Sequence, residues 1–176
     1  MNEVNDRDIL TKYDLGLVRD GLPPKHFDAL VLYAEDDENF VAELVAEMEG
    51  NYQLRVSLYW AEANHVFDFA FRLQLCIKDR DLLCGSYELD TITRLISGRC
   101  QRVIVVLSPA FLKSVANEFF TNFALHLSVE QRSKIIIPCL YKPCEVPAML
   151  RFYFALVYRR TAIYNFWEKM RDAIRN

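Results

Sequence analysis

From Phe27 to the end of the chain, short apolar runs alternate with segments of helical periodicity, and this alternation constrains the fold more than any other feature. Five runs have the length and the apolar content of buried strands: residues 27–33, 73–77, 102–107, 135–140 and 152–158. Strands that alternate with helices favour a parallel sheet, because a crossover helix returns the chain to the edge where the previous strand began. The pattern therefore predicts an α/β fold: a flavodoxin-like, doubly wound, parallel five-stranded sheet with helices on both faces.

Residues whose side chains cap helices stand at the starts of the helical segments. They are the acidic run 35–38, Ser86, Ser108 followed by Pro109, and Asn165. An acceptor side chain before a helix satisfies backbone N–H groups that have no partner within the helix, and proline suits the first helical position. We therefore expect a helix after each of these signals, the last over residues 166–174.

Two segments do not fit the alternation. Residues 1–24 carry eight charges and end in Gly21-Leu22-Pro23-Pro24, which predicts a linker with at most a short helix over residues 8–18. Residues 56–71 insert aromatic and apolar side chains where a connection of about 2 to 6 residues is usual. An extra helix or a segment retained by alternative processing would account for this insertion, and the sequence leaves both open.

The charge and composition of the chain argue against several partners. A formal net charge of −3 gives no general attraction to nucleic acid, so no nucleic-acid partner is expected. The N-terminus has no apolar signal core, and no run approaches the ~20 apolar residues that cross a bilayer, which predicts a cytoplasmic chain without direct membrane insertion. The five cysteines form no Cys-x-x-Cys pair, which favours reduced thiols over disulfides or a zinc site.

Common catalytic sites of α/β domains are not favoured either. The acidic run 35–37 and the later Lys142 are typical of a phosphorylatable receiver domain, but Ser108 stands where that site needs an aspartate. A phosphate-binding loop needs glycines after the first strand, and residues 22–49 contain none. The three histidines lack the spacing of metal ligands. We therefore expect no cofactor and no metal ion.

The loop between the second strand and the next helix is the candidate for recognition, because loops of α/β domains commonly carry binding residues. Arg80 can bind a carboxylate through two hydrogen bonds, while Asp79, Asp81 and Glu88 offer the opposite charge. We expect these charges to be partly unpaired in the monomer, so that a partner completes them. The alternative is an internal ion pair between Arg80 and Asp81 that only pins the loop.

Three segments, in chain order, resemble the three boxes of the Toll/interleukin-1 receptor (TIR) domain family: Phe27-Asp28-Ala29-Leu30-Val31-Leu32-Tyr33, Arg80-Asp81-Leu82-Leu83-Cys84-Gly85 and Phe166-Trp167. The resemblance covers residues 25–176. It implies a cytosolic module that binds TIR domains of Toll-like or interleukin-1-type receptors, other TIR adaptors and further copies of itself.

The resemblance also implies roles for individual residues. Contact candidates are Asp79, Arg80, Asp81, Leu82, Leu83, Cys84, Gly85, Glu88 and Lys169. Core and structural roles fall to Phe27, Asp28, Ala29, Phe166 and Trp167. Most TIR loops carry proline where Cys84 stands, so this loop is expected to be more mobile and its thiol open to oxidation if exposed.

Further segments are similar to the TIR domains of adaptors that link these receptors to kinases: residues 75–83, 99–106, 123–128 and 150–152. The resemblance thus implies an adaptor in Toll signalling, innate immunity and the inflammatory response. Such adaptors have an N-terminal death domain, which residues 1–24 are too short to form. A second hypothesis is therefore a form that occupies receptors and inhibits the pathway.

Some TIR domains hydrolyse NAD with a glutamate on the helix after the third strand. The position aligned with that glutamate holds Phe123, and Glu118 lies five residues away on a different helical face. An aromatic ring does not stabilise a developing positive charge as a carboxylate does. We therefore expect no enzymatic activity, with NAD hydrolysis as the alternative function.

Overall fold

The computed structural model describes residues 8–50, 72–159 and 161–176. Its strands are β1 (Phe27–Leu32), β2 (Leu75–Ile77), β3 (Cys100–Leu107), β4 (Ile136–Leu140) and β5 (Leu156–Val157). They form one parallel sheet in the order β2-β1-β3-β4-β5. The predicted α/β fold with a flavodoxin-like, five-stranded parallel sheet is therefore confirmed.

Helices cover both faces of the sheet. They are α1 (Asp14–Arg19), α2 (Glu38–Val45), α3 (Lys78–Asp81), α4 (Glu88–Gly98), α5 (Pro109–Leu112), α6 (Val115–Glu130) and α7 (Phe166–Arg175). Single turns of 3-10 helix occur at Glu35–Asp37 and Ala148–Leu150, and a π-helical turn, Ala46–Gly50, continues α2. Among the described residues, no helix has the length and apolar character needed to cross a bilayer.

The core consists of two clusters, one on each face of the sheet. Successive side chains of a strand point to opposite faces, so β3 contributes Val103, Val105 and Leu107 to one cluster and Ile104 and Val106 to the other. Helices α4, α5 and α6 pack on the first cluster, and α2 and α7 pack on the second. Burial on both faces is the reason why the central strands are continuous apolar runs in the sequence.

The predicted strand at residues 152–158 is wrong except at β5. Phe152 and Phe154 are 94% and 84% exposed, and pairing with β4 covers only Leu156 and Val157. β5 is an edge strand, so a single neighbour fixes its length. The second strand is also shorter than predicted, since it begins at Leu75 instead of residue 73.

Two of the four predicted helix caps are present and two are not. The acidic run 35–38 caps no helix, since neither the turn Glu35–Asp37 nor α2 has a side-chain cap hydrogen bond. Ser108 and Asn165 accept hydrogen bonds from backbone N–H groups in the first turns of α5 and α7. The prediction that Ser86 caps α4 is wrong, because its hydroxyl donates to Leu83 O at 2.7 Å and closes a turn before the helix begins.

The prediction of a linker is wrong for residues 8–20, which pack against the domain. Leu10 is 5% exposed and belongs to the same core cluster as Phe27. Asp14, the first residue of α1, is fully buried. The polar composition of this segment did not indicate burial. Polar groups can nevertheless be buried stably where they are hydrogen-bonded. Residues 1–7 and the predicted insertion at 56–71 lie outside the described residues.

Candidate interaction surface

The Arg80 side chain is bound within its own domain. It belongs to α3, a helix of four residues directly after β2. Its guanidinium forms a bidentate ion pair with Glu49 (Nη1–Oε2 2.8 Å, Nη2–Oε1 3.1 Å) and donates to Leu75 O at 2.7 Å. Nε donates to Asp81 Oδ1 at 2.8 Å. These interactions, first among them the hydrogen bonds to Glu49, raise the pKa of Arg80 above its ordinary value.

Asp81 is the buried acceptor at the end of α3. Its side chain has no exposed surface and accepts a hydrogen bond from Ile77 N at 2.8 Å. Tyr13 Oη lies 3.3 Å and Lys12 Nζ 3.4 Å from Asp81 Oδ1. The prediction that Arg80 and Asp81 offer unpaired charge is therefore wrong. The alternative, an internal ion pair that pins the loop, describes what the structure contains.

The residues around this ion pair also serve the scaffold. Tyr33 Oη donates to Asp79 Oδ2 at 2.5 Å, and burial together with this bond raises the pKa of Tyr33. Leu82 is half-buried against the core, and its backbone forms an antiparallel bridge with Thr11. Leu83 is half-buried as well. The first half of the predicted loop is thus fixed to the domain, although Asp79 remains exposed.

The exposed part of the loop is its second half together with the first turn of α4. All seven residues from Cys84 to Asp90 are exposed, and we call them the loop face. The backbone reverses at Gly85, which has a φ of +84°, a value that favours glycine. Ser86 N donates to Leu83 O at 3.2 Å and closes the turn. The loop face therefore projects from Asp81 and Leu82, which are bonded to the rest of the domain and which we call its root.

The loop face is acidic. The Glu88 and Asp90 side chains are 49% and 60% exposed. They form loose surface ion pairs with Lys78 (3.3 Å) and Arg94 (3.8 Å). Exposed pairs of this kind contribute about 0–1 kcal/mol, so a partner's cations can replace them at little cost.

Of the contact candidates, Cys84, Gly85 and Glu88 lie on the loop face. Sequence reasoning missed Tyr87, which is 73% exposed, because the predicted cap at Ser86 placed the start of the helix too early. Leu89, also on the loop face, is 37% exposed. An aromatic residue directly before an acidic helix start was the signal available in the sequence.

A second exposed surface lies beside β5, at the opposite edge of the sheet from β2. Phe152, Phe154 and Ile163 are 94%, 84% and 91% exposed. Lys169 Nζ lies 5.0 Å from the centroid of the Phe154 ring and 4.6 Å from that of Tyr164. Lys169 is exposed, as predicted. We call Phe152, Phe154, Ile163 and Lys169 the aromatic face.

The residues assigned structural roles lie in or beside the core. Phe27 and Ala29 of β1 are buried, and Asp28 Oδ2 accepts a hydrogen bond of 2.6 Å from the backbone just before β2. Phe166 is buried at the start of α7. Trp167 is half-buried and packs on the second core cluster. Each of these residues thus packs in the core or bonds to the backbone of the sheet.

A buried polar cluster lies at the carboxyl ends of the central strands. Asp37 is 1% exposed and accepts hydrogen bonds from Ser108 Oγ and from Lys142 Nζ, the latter at 2.8 Å. Ser108 thus holds Asp37 and caps α5 with the same hydroxyl.

On α6, Phe123 packs half-buried against the core and Glu118 is exposed. Within residues 8–50, 72–159 and 161–176, no group of three or more His, Cys, Asp or Glu is placed to hold a metal ion.

Comparison with known proteins gives one family and a set of solved structures of the same fold. The model of the TIR domain matches residues 33–148. The TIR domain of a Toll-related receptor from Hydra magnipapillata is 24% identical, with a TM-score of 0.60 over 85% of this chain and 99% of that one. A metazoan TIR-STING receptor from C. gigas is 19% identical, with a TM-score of 0.61 over 86% of this chain and 41% of that one. At these identities the structural likeness establishes a common fold.

Proposed function

Since the chain belongs to the TIR domain family, we propose that it is a cytosolic signalling adaptor module that acts by TIR–TIR association. In this proposal it couples Toll-like or interleukin-1-type receptors to downstream kinases and belongs with the myeloid differentiation primary response adaptor. The similarity of residues 75–83, 99–106, 123–128 and 150–152 to adaptors of that kind supports this assignment.

The loop face is the observation that carries the proposal. It presents an exposed tyrosine, Tyr87, and an exposed leucine, Leu89, beside two carboxylates. Aromatic side chains supply much of the binding energy of protein interfaces, while charges at the rim guide association and select partners. A surface of this composition on a rigid root fits a protein partner with basic and apolar groups.

The aromatic face has the complementary chemistry. It combines exposed rings with Lys169, and Arg151 and Arg159 are exposed nearby in the sequence. The loop face follows β2 and the aromatic face adjoins β5, so the two surfaces lie at opposite edges of one sheet. A contact between different surfaces is head-to-tail, and it propagates from copy to copy unless the rotation closes a ring. Receptor TIR domains and further copies of this chain would associate through the same head-to-tail contact.

The proposal does not require catalysis. The position aligned with the catalytic glutamate of NAD-hydrolysing TIR domains is Phe123, whose ring packs against the core. Glu118 lies on α6 but on a different helical face. An adaptor without NAD hydrolase activity is therefore the function that we propose.

The test is co-precipitation with receptor TIR domains after charge reversal on the loop face. Glu88→Lys combined with Asp90→Lys is expected to weaken binding strongly and to leave the fold intact, because both side chains are exposed. The matched control, Asp20→Lys combined with Glu130→Lys, changes the net charge equally at exposed positions that are not part of the loop face. Full binding by the loop-face variant, or equal loss in the control, would contradict the proposal.

A further inference from the structure

Residues 10–14, which precede α1 and include its first residue, run alongside the root of the loop face; we call them the N-terminal strap. Thr11 forms an antiparallel bridge with Leu82. Lys12 N donates to Asp81 O at 2.9 Å. The strap therefore holds the backbone at the point where the chain leaves α3 and enters the loop.

Two side chains of the strap, those of Lys12 and Tyr13, contact the Asp81 carboxylate. Tyr13 Oη donates to Asp81 Oδ1 at 3.3 Å, and Lys12 Nζ lies 3.4 Å from the same oxygen. The Tyr13 ring also packs against Phe27 of β1, with 6.1 Å between the ring centroids. Asp81 is fully buried, so these contacts act on the residue that fixes the start of the loop.

The strap has an anchor of its own that does not involve the loop. Asp14 is fully buried and accepts hydrogen bonds from Thr11 N and Lys25 N, each of 2.8 Å. Arg99 Nη1 lies 3.3 Å from the other side of this carboxylate, at Oδ1. The anchor joins the strap to the residue before β3, and it would remain if the contacts with Asp81 were removed.

We infer that Lys12 and Tyr13 are positioning residues for the loop face. They hold Asp81 where the chain leaves α3, and so limit the directions in which residues 84–90 project. The inference rests on the proposed function, because it concerns the same binding surface. A loop that is ordered before binding loses less conformational entropy in the complex, so the strap strengthens association without touching the partner.

The side-chain contacts of Lys12 and Tyr13 with Asp81 lie only at the start of the loop, which distinguishes a positioning role from a general role in stability. The Lys12 side chain is 44% exposed and its ammonium lies 3.4 Å from the buried Asp81 carboxylate, against 2.8 Å for Arg80 Nε, so Lys12 holds Asp81 more weakly than Arg80 does. Asp81 keeps its bonds from Arg80 and Ile77 without the strap. Loss of the Lys12 and Tyr13 side-chain contacts should therefore loosen the loop and leave the rest of the domain unchanged.

The test uses the double variant Lys12→Met, Tyr13→Phe in the full chain. Hydrogen exchange of the amides of residues 82–87 is expected to accelerate, while exchange in β1 and β3 stays the same. Self-association, measured by sedimentation, is expected to weaken about three- to tenfold, the scale of ordering a few side chains at an interface. Lys113→Met combined with Tyr141→Phe, outside both proposed faces, is the matched control, and Lys12→Arg alone should retain wild-type exchange.

Two results would overturn the inference on its own: unchanged exchange in residues 82–87, or acceleration spread evenly over the domain. The Glu88→Lys, Asp90→Lys variant in the same sedimentation assay separates the two proposals. If it weakens association and the strap variant does not, the strap inference fails and the proposed function stands. If neither variant weakens association, the proposed function fails, and the strap inference fails with it.

Discussion

Arg80 and Glu49 form a bidentate ion pair that joins the chain on either side of residues 51–71. Glu49 lies in the π-helical turn after α2, and its Oε1 also accepts a hydrogen bond from Leu75 N at 3.1 Å. One carboxylate thus holds both the start of β2 and the helix that follows it. The arginine that was expected to meet a partner instead holds this part of the fold together.

Arg80→Ala is therefore expected to destabilise the domain. The substitution leaves Asp81 buried without its closest cation and Glu49 without its bidentate partner. Charged hydrogen bonds of this kind suggest a loss of roughly 2–4 kcal/mol in the free energy of unfolding. Arg80→Lys keeps the charge but not the planar pair of donors, so its loss should be intermediate. Urea denaturation measures both, and wild-type stability of Arg80→Ala would contradict the structure.

The stability that Asp14 contributes should depend on pH. Burial raises the pKa of this carboxyl group, but hydrogen bonds from the backbone of Lys25, Thr11 and Leu10 outweigh burial, and the pKa lies below its ordinary value. A group with a lowered folded-state pKa stabilises the fold above its unfolded-state pKa, and this contribution is lost as the pH falls through the folded-state pKa.

Asp14→Asn is accordingly expected to cost about 1–3 kcal/mol at pH 7. The difference between variant and wild type should shrink below about pH 4, where the unfolded-state carboxyl group begins to take up a proton. Urea denaturation of both proteins between pH 7 and pH 3 gives the two curves. A difference that stays constant over this range would show that the charge of Asp14 does not contribute.

Cys84→Pro should stabilise the turn of the loop face. A turn with glycine of positive φ at its third position commonly has proline at its second, and Cys84 occupies that second position before Gly85. Proline removes freedom from the unfolded chain, which suggests a gain of about 0.4–1 kcal/mol. Gly85→Ala should have the opposite effect, since alanine at a φ of +84° costs about 1–2 kcal/mol. Thermal unfolding of both variants measures the two changes in stability. A Cys84→Pro variant that is less stable than the wild type would contradict this geometry.

Purified protein is expected to release no nicotinamide from NAD. Phe123 cannot supply the carboxylate that stabilises the positive charge of the reaction. Heat-denatured protein at the same concentration is the control for background hydrolysis. Release above this background that is lost in Glu118→Ala would contradict the expectation and would assign the reaction to Glu118.

Burial made most of the sheet predictable from the sequence. β1, β3 and β4 are largely covered on both faces, and apolar runs of this length are typical of strands buried in that way. β5 was overextended because Phe152 and Phe154 are apolar and yet exposed. Composition reports the environment that a residue usually prefers, and an exposed apolar surface departs from that preference.

The loop after β2 could be located from the sequence, but the pairing of its charges could not. Charge and turn residues marked the loop, whereas the partner of Arg80 lies 31 positions away at Glu49. The anchor of the strap, between Asp14 and Arg99, spans 85 positions. Contacts at such separations depend on how the sheet brings elements together, and no local pattern in the sequence records them.

In the proposed association, the loop face of one copy meets the aromatic face of another. One variant carries Glu88→Lys and Asp90→Lys, a second carries Arg151→Glu and Lys169→Glu, and a third carries all four changes. Sedimentation at low salt should show association at least about tenfold weaker for each of the first two, because like charges would oppose each other.

The third variant restores opposite charges across every head-to-tail contact, so it distinguishes a contact between these two faces from any other contact. Its association is expected to recover most of the wild-type strength. Association of the fourfold variant as weak as the product of the two separate losses would instead mean that the two faces do not meet.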